Sequence, residues 1–162
     1  MTPNMIDRET DSSERDHVSL RLWLRLLTCT TMIETEVRTR LREEFEITLP
    51  RFDLMAQLER SKDGLKMGEL SQRMMVSGGN VTGITDQLER DGLVERIEIP
   101  GDRRSWRVRL TEAGRQSFDV MARTHEAWIV GMMRSLSPAE QQQLYGLLHK
   151  LKQGMGKKLA GQ

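Results

Sequence analysis

The sequence predicts a mainly α fold with a small β-wing, a winged helix-turn-helix domain set between long N- and C-terminal helices. Three features carry that expectation. Met67, Leu70 and Met74 recur at intervals of three and four residues, and Val81, Ile84 and Leu88 do so again after the break at Val76-Ser77-Gly78-Gly79. That is the apolar period of two short packed helices. Residues 93–99 and 106–110 alternate apolar with charged side chains on either side of Pro100-Gly101-Asp102, as half-buried strands joined by a turn do. Long apolar stripes at helical spacing occupy both ends of the chain, residues 17–46 and 111 onward.

Taken in order, residues 1–16 mix charges with Ser, Thr and Pro and have no apolar period, so they read as a flexible tail. A long helix follows over 17–46, with Ile33, Val37, Leu41 and Phe45 four apart and Val18, Leu22, Leu26 and Leu27 forming an earlier stripe. Leu20, Trp23 and Leu24 widen its apolar surface beyond one face. That half of the helix needs a cover, either another subunit or the last two helices of the same chain. Thr48-Leu49-Pro50 starts a second helix, with Pro tolerated in its first turn, and Ser61-Lys62-Asp63-Gly64 closes it. Leu65-Lys66-Met67 is short enough to pair briefly with the wing strands. Ser77 is placed to cap the second helix of the motif, and Asp91-Gly92 to end it, Gly92 supplying a left-handed backbone. Thr111 caps the next helix, which carries Phe118, Met121, His125, Trp128, Met132 and Leu136. Ser137-Pro138-Ala139-Glu140 has the capping-box pattern for the last one.

Composition narrows the function class. At 162 residues, 37% hydrophobic and 30% charged, the chain is sized for about one globular domain. Net charge is only +1, but four Arg stand against one Asp between Pro100 and Leu110. Positive charge is therefore local to the hairpin. The single cysteine, Cys29, cannot form an intramolecular disulfide, which fits a reducing cytoplasm. No apolar run approaches the ~20 residues of a membrane span. His17, His125 and His149 are too dispersed for metal ligation. There is no phosphate loop and no nucleophile paired with a base, so neither an enzyme nor a cofactor is expected.

The linked runs Glu69-Leu70, Val76-Ser77-Gly78-Gly79-Asn80-Val81-Thr82, Gln87 to Arg96, Pro100-Gly101-Asp102-Arg103-Arg104 and Leu110-Thr111-Glu112-Ala113-Gly114 closely resemble the MarR-type (multiple antibiotic resistance regulator) transcription factors. The resemblance covers the chain from residue 17 onward. It implies a homodimeric DNA-binding repressor, often released from its operator by a ligand, and two copies about a twofold axis would read a palindromic sequence. Residues 17–46 and 111–162 would then be dimerisation helices and 47–110 the winged helix-turn-helix region.

On that reading the second helix of the motif enters the major groove with its start against base edges. Ser77, Gly79, Asn80, Thr82 and Gln87 would face DNA, Asn80 being able to pair bidentately with adenine. Arg104 would reach the minor groove from the hairpin tip, its guanidinium held by Asp102, a pairing the resemblance also implies. Arg103, Arg107 and Arg96 suit phosphate contacts or ion pairs at the wing base. The resemblance places an effector pocket where the first helix, the Pro50 helix and the Phe118 helix meet. There Arg38, Arg40 and Arg42 beside Trp23, Phe52, Met55, His125 and Trp128 would suit a small aromatic acid or an aromatic acyl thioester. Two other readings compete. Cys29 could act as a redox switch, although among Thr28, Thr30 and Thr31 it reads as a buried small residue. A winged helix can also serve as a protein-interaction or DNA-bridging module without any effector.

Overall fold

Helix α1 (Val18–Phe45) buries Val37 and Leu41 but leaves Val18, Leu20, Leu22, Trp23, Leu27 and Met32 exposed. The computed structural model describes residues 17–74 and 80–159; the tail expected over 1–16 lies outside them. Glu46 ends α1 in the left-handed region. Helix α2 (Leu49–Glu59) begins as expected, with Thr48 at its cap accepting a 3.4 Å hydrogen bond from the Arg51 backbone N–H and Pro50 in the first turn. Its Phe52, Leu54, Met55 and Leu58 are all buried. The two-residue strand β1 (Leu65–Lys66) does pair with the wing, and α3 (Met67–Arg73) follows directly. Helix α4 (Val81–Arg90) comes next, and strands β2 (Val94–Ile99) and β3 (Asp102–Leu110) complete with β1 a three-stranded antiparallel sheet in the order β1-β3-β2.

Helix α5 (Glu112–Met132) passes through a short 3₁₀ turn (Met133–Ser135) into α6 (Pro138–Leu159). The box at the start of α6 is formed: Ser137 N–H donates to Glu140 Oε2 at 2.7 Å and Glu140 N–H to Ser137 Oγ at 3.2 Å. Chain contacts divide the protein into two compact units, one ending at Met121 and one beginning at Ala122. In the first, the core joins Leu41, Phe52, Leu54, Met55, Leu58, Leu70, Leu88, Val108 and Phe118, and the Phe52 and Phe118 rings lie 5.5 Å apart. In the second, Trp128 is buried with its ring edge-on to His125 at 6.3 Å, whereas Leu144, Tyr145, Leu147, Leu148, Leu151 and Met155 of α6 are exposed.

Three expectations need correction. Cys29 is exposed, not buried, because it lies between Leu27 and Met32 in a stretch of α1 where those apolar side chains are exposed as well. In α4 the inward stripe is Val81, Thr85 and Leu88, with Ile84 only half-buried. The Thr85 hydroxyl donates to the Val81 carbonyl at 2.7 Å, so its burial leaves no donor unpaired. Finally, β3 starts at Asp102 rather than Trp106, which changes the shape of the wing tip.

Candidate nucleic-acid interface

The start of α4 is polar and open. Asn80 occupies the cap position with φ −139° and makes no side-chain capping bond; Asn80, Thr82 and Gln87 are exposed. The buried stripe of Val81, Thr85 and Leu88 turns the opposite face of the helix outward. Ser77, expected as the cap, and Gly79, expected to face DNA, lie outside the described residues. At its other end α4 closes in a Schellman arrangement: Leu93 N–H donates to the Leu88 carbonyl at 2.9 Å and Gly92 N–H to the Glu89 carbonyl at 3.0 Å. Gly92 takes φ +72° there, a conformation that costs glycine little.

The hairpin turns through Pro100 and Gly101, the latter at φ +86°, as a proline followed by a left-handed glycine allows. Ile99 pairs with Asp102, yet the neighbouring Glu98 pairs with Trp106. Arg103, Arg104 and Ser105 therefore have no opposite residues on β2 and form a bulge on the return strand. Arg104 stands in this bulge and not at the turn itself. Asp102 organises it, though not in the way the sequence suggested. Its Oδ1 accepts the Arg104 backbone N–H at 3.1 Å; it is the backbone, not the guanidinium, that the carboxylate holds. A hydrogen bond from the Ser105 side chain, then the Arg104 backbone bond, and the charge of Lys66 hold the Asp102 carboxyl below its ordinary range. Arg103 and Arg104 are both exposed.

The remaining wing arginines are engaged within the protein. Arg96 on β2 is ion-paired to Asp86 and, at 2.8 Å, to Glu89, both on α4. Its side chain is 23% exposed, and the Asp86 hydrogen bond raises its pKa further. Arg109 bonds Glu95 across the ladder at 2.5 Å, and Arg107 donates to the Gly64 carbonyl at 3.4 Å. Arg96 thus ties the outward helix to the strand that leads into the wing.

A second tie was only partly legible. Thr111 Oγ1 accepts from Gly114 N–H at 3.0 Å and donates to the Gly92 carbonyl at 2.6 Å, while Thr111 N–H donates to the Leu93 carbonyl at 3.1 Å. The cap on α5 follows from sequence. That Gly114 lies against the Leu93 carbonyl, where a Cβ would come within 2.0 Å of the oxygen, does not.

The residues suggested for an effector pocket divide between the two units. Arg38 and Arg42 are exposed on α1, and Arg40 bonds Glu36 at 2.6 Å. Trp23 is 54% exposed, whereas Phe52 and Met55 are core residues. In the second unit Trp128 is buried, and desolvation lowers the pKa of the half-buried His125. Among the described residues no three His, Cys, Asp or Glu side chains converge as a metal site, and no helix is long and apolar enough to cross a membrane.

Comparison with known proteins places this geometry. The MarR family model matches residues 47–106. The chain is 38% identical over 85 residues to the uncharacterised HTH-type transcriptional regulator YkoM of Bacillus subtilis, a match covering 52% of this chain and 55% of that one. It thus spans little more than half the length of that relative. It is 30% identical over 124 residues to the transcriptional activatory protein BadR of Rhodopseudomonas palustris, covering 75% of this chain and 70% of BadR. Its fold is similar to the crystal structure of a MarR family transcriptional regulator from Silicibacter pomeroyi, with a TM-score of 0.75, 30% identity, and coverage of 89% of this chain and 99% of that one.

Proposed function

Because the chain belongs to the MarR family of transcription regulators, we propose that it acts in the cytoplasm as a homodimer that binds a palindromic DNA operator through α4 and the wing. The observation that carries this reading is the bulge of Arg103-Arg104-Ser105 set by Asp102, which presents two exposed arginines on the wing while the start of α4 is polar and exposed. In the groove reading, Asn80, Thr82 and Gln87 meet base edges, while Arg103 and Arg104 follow phosphates and the minor groove.

Dimerisation has its own support. Val18, Leu22, Trp23 and Leu27 of α1 and Leu147, Leu148, Leu151 and Met155 of α6 are exposed, and apolar surface on this scale marks an interaction site. Residues 17–46 and 111–162 are then the dimerisation helices, and 47–110 the DNA-binding region. A small aromatic acid or aromatic acyl thioester is the proposed effector, drawn to the α1 arginines Arg38, Arg40 and Arg42. The proposed sign is repression by occupancy of a promoter. BadR is by name an activatory protein, so operator position decides.

The test is selection of duplexes from a random pool by the full chain, followed by titration of the selected site. A palindrome with half-sites ~34–36 Å apart, and an affinity that falls steeply with salt, are expected. Arg104→Ala should weaken that complex about tenfold with no change in Tm. Benzoate or a benzoyl thioester should dissociate it. Binding without sequence preference would sink the reading.

A further inference from the structure

Gly83 is the glycine inside the outward-facing helix, and helix formation alone disfavours it, since only proline is a poorer helix former. The backbone does not require it either: its φ is not among the positive ones. The space around it does. A Cβ built on Gly83 would lie 2.3 Å from Oδ1, 3.1 Å from Cγ and 3.5 Å from Nδ2 of Asn80. Apart from the helix's own backbone and the adjoining residues, its three nearest neighbours are thus all atoms of one carboxamide. Asn80 is exposed and caps α4 by position, yet its side chain makes no capping hydrogen bond. The carboxamide lies across the first turn of α4 in the space a side chain at 83 would fill.

We infer that Gly83 is a specificity-determining position, which acts by letting the Asn80 carboxamide lie across α4 and so fixing the direction of its donor and acceptor. An amide reads adenine only when its oxygen and nitrogen meet the base edge together. A methyl group at 83 would swing the carboxamide out of that plane. Only the end of a flexible side chain stands in its way, so the helix itself tolerates the change. The inference rests on the reading that the start of α4 enters a groove, and it adds a residue that touches no base.

The experiment compares wild type, Asn80→Ala, Gly83→Ala and the double variant on the selected operator and on operators substituted one base pair at a time. Gly83→Ala is expected to raise Tm by about 2–4 °C, as a glycine replaced inside a helix should. It should also lose about tenfold discrimination at the same base pair that Asn80→Ala relaxes. The double variant should lose no more than either single one, because both changes remove one interaction. Full discrimination by Gly83→Ala, a loss at a different base pair, or losses that multiply in the double variant would overturn the inference; the last would mean that the methyl group strikes DNA directly. A Gly83→Ala protein that fails to fold would overturn it too. A wild-type protein with no base preference would instead refute the groove reading.

Discussion

Gly114→Ala tests the tie between the wing and α5. A Cβ at this position would stand 2.0 Å from the Leu93 carbonyl oxygen and 2.9 Å from its carbon. Ordinary contact between carbon and oxygen needs more than about 3 Å, so two backbone segments must separate by about 1 Å. Neither can move alone. The Leu93 carbonyl already accepts the Thr111 N–H at 3.1 Å, and the Thr111 hydroxyl bridges Gly92 and Gly114. Overpacking costs about 1–3 kcal/mol, and two strained hydrogen bonds about 1 kcal/mol each. Against these stands about 1 kcal/mol of helix propensity gained by removing glycine. The net loss should be about 2–4 kcal/mol. Urea unfolding at fixed protein concentration, followed by circular dichroism, should show the midpoint falling by about 1–2 M. Gly68→Ala is the matched control: nothing lies within 4 Å of its added Cβ, and stability should hold or rise slightly. A Gly114→Ala protein within about 0.5 kcal/mol of wild type would refute the argument from close approach.

Two further outcomes are expected. Arg96→Met should lower operator affinity about tenfold by leaving the Asp86 and Glu89 carboxylates uncompensated near phosphate, and adding Asp86→Asn and Glu89→Gln should restore most of it. Because both acids are about half exposed, the stability cost should stay near 1 kcal/mol or below; a fall of one in the salt slope of binding would show Arg96 to be a phosphate contact instead. His125 has its pKa lowered by burial, so folding favours the neutral ring. That contribution is complete above the unfolded value near 6.5 and is lost as pH falls below it through the folded value. Tm measured from pH 7.5 to 5 should therefore decline less steeply in His125→Gln than in wild type, and parallel curves would contradict the assignment.

The features legible in the sequence depend on neighbours a few residues apart. Thr48 with Pro50, Asp91-Gly92, Thr111 and the Ser137–Glu140 box all act within one helical turn, so their spacing is their geometry. Features set by long-range pairing are not legible in this way. Asp102 and Arg104 carry opposite charges two residues apart, which suggests an ion pair, but a bulge turns the Arg104 and Ser105 backbone toward the carboxylate. No local pattern announces that bulge, because it arises from the pairing of β3 with β2. Ile84 has the spacing and apolarity of an inward residue, yet Thr85 fills the buried position, its hydroxyl satisfied by Val81. Cys29 has the size and neighbours of core filler, but it is exposed together with Leu27 and Met32. Gly83 and Gly114 make the same point in reverse: each is defined by an atom that would collide with its missing Cβ, Asn80 Oδ1 in one case and the Leu93 carbonyl in the other. A glycine in sequence announces only that a side chain is absent. Whether that absence serves a turn, a packed backbone or a neighbouring side chain depends on what three-dimensional pairing brings against it.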